Sequence, residues 1–107
     1  LSLPEGLRWL HLEDNRIEDV SDLTLPEGLE VLNLDNNRIE DVSDLTLPEG
    51  LKRLYLSDNS IEDVRFLALP ESLIFLDLGD NPITRTDVAH LERQYSIYIN
   101  VSEESQE

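Results

Sequence analysis

The chain has 107 residues, enough for one domain or a short repeat array. Its 24 acidic residues against 8 basic ones give a formal charge of −16, a field that repels nucleic acid and anionic lipid. No run approaches the ~20 apolar residues of a membrane span, so neither nucleic acid nor membrane is expected as a partner. The absence of cysteine removes disulfide and thiolate chemistry and suits a reducing compartment such as the cytoplasm. The chain opens on Leu1 and contains no methionine, as a segment of a longer protein would.

Repetition begins at once. Leu3–Thr24 (LPEGLRWLHLEDNRIEDVSDLT) and Leu25–Thr46 (LPEGLEVLNLDNNRIEDVSDLT) are followed by Leu47–Ala68 (LPEGLKRLYLSDNSIEDVRFLA) and a fourth copy from Leu69. A fixed period of 22 residues means a solenoid of stacked coils, each covering its neighbour's apolar face. LSL leads straight into the first coil, so no N-terminal cap is expected. That bare end offers a route to a homodimer.

Within the first coil Leu7, Leu10 and Leu12 lead to Asn15 and Ile17, and the same letters recur in the other three. The L-x-L part alternates with period two and predicts a short strand with its leucines inward. Ile17, Val20, Leu23 and Leu25 have helical spacing, but Pro26 follows too soon for an α-helix, and a 3₁₀ turn fits. Pro4, Pro26, Pro48 and Pro70 mark the return turn, with Gly6, Gly28 and Gly50; the fourth copy has Ser72 in place of the glycine. A ladder of Asn15, Asn37, Asn59 and Asn81 is expected to satisfy backbone groups where each coil turns, because an amide side chain donates and accepts together.

The pattern L-x-x-L-x-L-x-x-N-x-I over Leu3–Ile83 resembles the leucine-rich repeat, and its length and I-x-x-V-x-x-L continuation resemble the SDS22-like class. The resemblance implies an α/β repeat solenoid: a right-handed arc with a parallel concave β-sheet, short 3₁₀ turns on the convex side, and a concave face that binds a partner protein. The expected organisation is four repeats over residues 1–83 (3–24, 25–46, 47–68 and 69–83 onward), a cap over 84–101 and a disordered tail over 102–107. In the cap, Thr86 or Asp87 is the expected helix N-cap, with Val88, Leu91 and Tyr95 at helical spacing. Ile97, Ile99 and Val101 then alternate as a last strand.

Variation between copies concentrates on the positions flanking the strand leucines. The first column reads Arg8, Glu30, Lys52, Ile74, and the second Trp9, Val31, Arg53, Phe75. The third reads His11, Asn33, Tyr55, Asp77 and the fourth Glu13, Asp35, Ser57, Gly79. The convex letters Glu18, Asp19, Ser21 and Asp22 recur unchanged in the second copy. Because drift would touch both surfaces, and because Trp, Tyr, Phe and Arg supply interface hot spots, the edited face reads as a recognition surface. Its anchors are Trp9, Arg53, Tyr55 and Phe75, and Arg8, His11, Asn33, Lys52 and Asp77 set specificity. In the third copy Arg65 and Phe66 replace the convex Ser and Asp, and Phe66 is expected to pack toward the C-terminal segment.

Catalytic patterns are missing. His11 and His90 lie far apart, no G-x-S-x-G element or phosphate-binding glycine loop is present, and neither enzyme activity nor a cofactor is expected. Glu13, Asp14, Asp35, Asp58 and Asp80 form an oxygen-rich column that makes them candidates for accessory calcium binding. The alternative to a recognition module is structural: near-identical copies also suit an engineered or idealised scaffold without a ligand, self-associating through its bare N-terminal end.

Overall fold

The computed structural model describes residues 3–21, 23–64 and 67–101. The expectations for Asp22, Arg65, Phe66 and the 102–107 tail therefore lie outside the described residues. Four three-residue strands come first: β1 (Trp9–His11), β2 (Val31–Asn33), β3 (Arg53–Tyr55) and β4 (Phe75–Asp77). Helix α1 (Arg85–Gln94) and strand β5 (Tyr98–Asn100) follow. All five strands pair in parallel in chain order, forming one open sheet. This is the expected α/β repeat solenoid.

The repeat sets the register. Trp9, Val31, Arg53 and Phe75 stand in line across four strands, and Tyr98 continues the line on β5. Backbone pairing runs past the strand ends, with Leu12 N–H donating to Asn33 O at 2.8 Å and Asp14 N–H to Asp35 O at 3.1 Å. The inward leucines stack as a continuous core: Leu32, Leu54 and Leu76 are fully enclosed, as are Leu34, Leu56, Ile39 and Ile61. Burying each such side chain contributes ~1.5–3 kcal/mol. Leu7, Leu10, Leu12 and Ile17 are only half-buried, because the first coil packs on one neighbour while inner coils pack on two.

Each inner asparagine bridges two coils. Asn59 Nδ2 donates to Leu34 O at 3.1 Å, Leu56 O at 3.0 Å and Ser57 O at 3.1 Å, while Oδ1 accepts from Ile39 N–H at 3.0 Å. Asn37 and Asn81 repeat the arrangement, accepting from Ile17 and Ile61. Asn15 is exposed and donates only within its own coil, to Leu12 O and Glu13 O. The residue before each asparagine has a positive φ: 61° at Asp14, 57° at Asn36, 58° at Asp58 and 55° at Asp80. Asp and Asn tolerate this left-handed conformation better than any other non-glycine residues, so the turn itself restricts that column to them.

On the convex side the 3₁₀ turn is a single i→i+3 hydrogen bond per coil, as in Leu23 N–H to Val20 O at 3.2 Å and Leu45 N–H to Val42 O at 3.2 Å. Among the described residues it does not lengthen into a 3₁₀ helix. The Pro-Glu-Gly-Leu return turn closes likewise, Leu29 N–H reaching Pro26 O at 3.2 Å. No glycine has a positive φ, so this turn does not require one. Ser72 takes the glycine's place in the fourth coil, donating its hydroxyl to the carbonyls of Glu49 and Leu51.

The C-terminal cap differs from expectation in one detail. The N-cap is Thr84, whose Oγ1 accepts from Asp87 N–H at 3.2 Å; Thr86 and Asp87 lie inside the helix. The helix starts earlier because Ile83 closes the fourth coil, and Thr84 then stands three residues before an acidic N3 position. Val88 and Leu91 are buried under α1, and the Tyr95 hydroxyl accepts from Leu69 N–H at 3.4 Å. Ile99 completes the core with Ile97 and Val101 beside it.

Candidate binding face

On each strand the central residue turns inward, and its two neighbours stand on the other face of the sheet. Among the described residues the exposed large apolar side chains are Trp9 at 65%, Ile74 at 56% and Tyr98 at 63% exposure, and all three lie on the strands or directly beside them. Tyr55 and Phe75 meet at 5.4 Å between ring centroids, tilted by 54°, and Phe75 stacks on Tyr98 at 5.6 Å and 14°. The result is an aromatic ladder across β3, β4 and β5, with Ile74 at its side.

The predicted residues therefore fall into two groups. Arg53, Tyr55 and Phe75 come together, with Lys52 adjoining and Arg53 Nη1 donating to the Tyr55 hydroxyl at 3.4 Å. Trp9 stands apart, separated from the ladder along its column by Val31 and Arg53. Beside it, Arg8 approaches Glu30 at 3.9 Å, and His11 Nδ1 lies 3.5 Å from Glu13 Oε1. That Glu13 oxygen is shielded from solvent and has no hydrogen-bond partner among the described residues.

Tyr98 and Asn100 belong to this face and were missed because the copies were aligned at 22 residues. β5 follows β4 after 23 (98 − 75), with a helix between. The signal was available: if Ile97, Ile99 and Val101 point inward, Tyr98 and Asn100 must point outward.

Several polar residues of the face are already engaged. Asn33 Oδ1 accepts from Asp35 N–H at 2.9 Å, and Asp77 Oδ1 accepts from Gly79 N–H and Asn100 Nδ2, each at 3.0 Å. Asp35 accepts from Ser57 N–H at 2.8 Å. Burial pushes the Asp35 carboxyl above its ordinary value; the Ser57 hydrogen bonds pull it down, and the charges of Asp77 and Glu13 push it up.

For the calcium candidates the geometry gives a different account. Among the described residues no three acidic or histidine side chains converge as a metal would require. Asp14 instead accepts from Asn36 Nδ2 at 2.5 Å, and Asp58 and Asp80 are placed by their turns. The constancy of the convex side also has a structural cause. Asp19 Oδ1 accepts from Ser21 N–H at 2.9 Å and from its hydroxyl at 2.7 Å, and Asp41 and Ser43 repeat this. These letters are fixed by a side-chain-capped turn, so they are not a measure of drift.

A family model described as "Leucine rich repeat" matches residues 27–83, more than half of the chain, and one described as "Leucine Rich repeats (2 copies)" matches residues 5–47. The chain belongs to the leucine-rich repeat family. These matches do not distinguish the SDS22-like class within it. A crystal structure of an internalin C2 from Listeria monocytogenes is similar to this leucine-rich repeat array, with a TM-score of 0.72 and 29% identity over 92% of this chain. The match covers 43% of that protein, so this chain spans less than half of its length. Comparison with curated protein sequences finds no match. Leucine-rich repeat domains generally mediate protein–protein interaction and are typically recognition modules without catalytic activity. No helix among the described residues is long and apolar enough to cross a membrane.

Proposed function

We propose that this leucine-rich repeat array binds a protein partner on its concave sheet and performs no catalysis. The anchors are Tyr55, Phe75 and Tyr98, with Lys52, Arg53 and Asp77 around them. Arg8, Trp9, His11 and Asn33 form a second, smaller contact toward β1. The observation that carries this reading is the ladder of contacting rings Tyr55–Phe75–Tyr98 on an open sheet whose other, apolar side is packed into the core. Tyr98 and Ile74 are open to solvent beside the half-buried Tyr55 and Phe75, an apolar patch that costs solubility unless something covers it, and aromatic residues dominate interface energetics. The stacked coils are preorganised, so binding orders little new structure.

The test is a pull-down from extract of the cells that make the protein, comparing the wild type with Tyr55→Ala/Phe75→Ala/Tyr98→Ala and with Trp9→Ala. A partner retained by the wild type and lost by the triple variant supports the ladder. Equal retention by all three, or by none, overturns it.

A second reading, a ligand-free scaffold that self-associates, has one observation in its favour. The first described coil leaves Leu7, Leu10, Leu12 and Ile17 half-exposed, beside the free edge of β1 and Trp9. Sedimentation velocity over a hundredfold concentration range tests it. A concentration-dependent dimer abolished by Leu10→Lys supports it, and a monomer throughout overturns it.

A further inference from the structure

We infer that the segment seated on the ladder carries a carboxylate next to its apolar anchor, a deduction that rests on the concave-face reading above. Lys52 and Arg53 stand beside the ring ladder, Arg53 on β3 and Lys52 just before it. They are adjacent in sequence, both exposed, and neither has a carboxylate oxygen within ion-pair distance among the described residues.

The reason is visible in their neighbours. Glu30, beside Lys52 in its column, approaches Arg8. Asp77, beside Tyr55, is held by Gly79 N–H and Asn100, and Asp35 by Ser57 N–H. The carboxylates of the face are thus turned to their own turns and strands. Arg53 meets only the Tyr55 hydroxyl, which leaves most of its five donors unused at the margin of the ring ladder. Two unpaired cations beside three rings form a site for a group that is apolar on one side and anionic on the other.

A phosphate backbone also offers anions and stackable bases, but it would need many cations, and this face supplies two beside Asp35 and Asp77. A protein segment with a single carboxylate fits the count. The cations lie on the β3 coil, Phe75 one strand away and Tyr98 two strands away, roughly 5 and 10 Å at parallel-strand spacing. An extended segment advances ~3.3 Å per residue, so its Asp or Glu stands about two or three residues from its aromatic or large aliphatic anchor. The overall charge of −16 favours basic partners at long range, but at contact the local pairs decide, because charges beyond ~8–10 Å are screened.

The experiment is selection from a displayed library of random peptides of about eight residues, long enough to cross a five-strand face of roughly 19 Å. The enriched peptide is then synthesised with its acidic residue intact and changed to Lys. The expected result is enrichment of Asp or Glu two or three positions from an aromatic or large aliphatic residue. The Lys version should bind the wild type at least about tenfold more weakly and regain affinity for Lys52→Glu/Arg53→Glu. Circular dichroism checks that the charge-reversed domain is folded. Enrichment of Lys or Arg beside the anchor, or no enrichment, overturns the inference. If such basic peptides still need Phe75 and Tyr98, the concave-face reading survives that failure. If bound peptides are indifferent to Phe75→Ala/Tyr98→Ala, the concave-face reading fails with it.

Discussion

The asparagine ladder should have a cost that depends on position. Asn59 makes four hydrogen bonds at 3.0–3.1 Å, joining its own coil to the one before, and is 8% exposed. Asn59→Ala leaves the Ile39 N–H unpaired in a buried turn and removes the donor shared by three carbonyls. At ~1–3 kcal/mol for an unsatisfied buried donor and ~0.5–1 for each of three weakened carbonyls, the loss spans about 2.5–6 kcal/mol and centres on ~4 kcal/mol. Asn15 makes two bonds within its own exposed coil, so Asn15→Ala should cost about 0.5–1 kcal/mol. Asn59→Asp should be at least as harmful as Ala, since a carboxylate keeps the acceptor but faces three carbonyl oxygens without a donor. Urea unfolding followed by far-ultraviolet circular dichroism reads the difference. With a slope of ~1.5 kcal/mol/M, Asn59→Ala moves the midpoint down by about 2–3 M and Asn15→Ala by less than ~0.7 M. Similar shifts at the two positions, or a shift below ~1 M for Asn59→Ala, would refute the argument that cross-coil bonds carry the cost.

Three further outcomes follow from the same coordinates. Asp35→Asn should be more stable than the wild type at pH 7, because burial raises the folded carboxyl above 3.8 and so penalises its charged form. The gap should close as pH falls through the raised value and then below 3.8, where both states become protonated, and urea midpoints across pH 3–7 measure it. Asp19 and Asp41 run the other way. Their carboxyls are held low by hydrogen bonds from Ser21 and Ser43, so the stability these contribute is present above 3.8 and lost as pH falls through the lowered values; Ser21→Ala/Ser43→Ala should lessen that acid-side loss. Gly28→Ala and Gly50→Ala should each stabilise by ~0.4–1 kcal/mol, since neither glycine has a positive φ and an added Cβ meets nothing nearer than a carbonyl at 3.9 Å. Thermal midpoints of the single and double variants check this, and a drop in either would mean the turn needs glycine after all.

The scaffold was legible in the sequence because it is periodic. The spacing of Leu10, Leu32, Leu54 and Leu76 gives the strands and their register, and Pro26 so soon after Val20 gives the tight convex turn. What escaped lies where periodicity ends or where geometry is local. Tyr98 went unnoticed because α1 shifts the fifth strand by one residue, and the helix N-cap was expected at Thr86 or Asp87, two or three residues after Thr84, because all three are residue types that cap helices. The turn role of Asp14, Asn36, Asp58 and Asp80 could not be read, because a run of Asp and Asn looks alike whether it serves left-handed backbone or a cation, and only φ reveals the backbone role. The contrast between an edited face and a constant back was visible, but its cause was not: Asp19 and Ser21 are held by each other.

Sequence constancy at Asp19, Ser21, Asp41 and Ser43 is explained by their own hydrogen bonds, so at those convex positions variation on the sheet is no longer measured against an idle surface. What remains is chemical. Columns free to vary would in an acidic chain fill mostly with carboxylates and small polar residues, as the convex side does. The three coils from β3 onward instead hold rings in contact with one another and two cations with no carboxylate partner among the described residues, while the face toward β1 holds one exposed Trp and paired charges. A face edited without constraint has no reason to gather its rings at one end. The asymmetry points to the β3–β5 half as the place where a partner is gripped, with Trp9 as a separate, outlying contact.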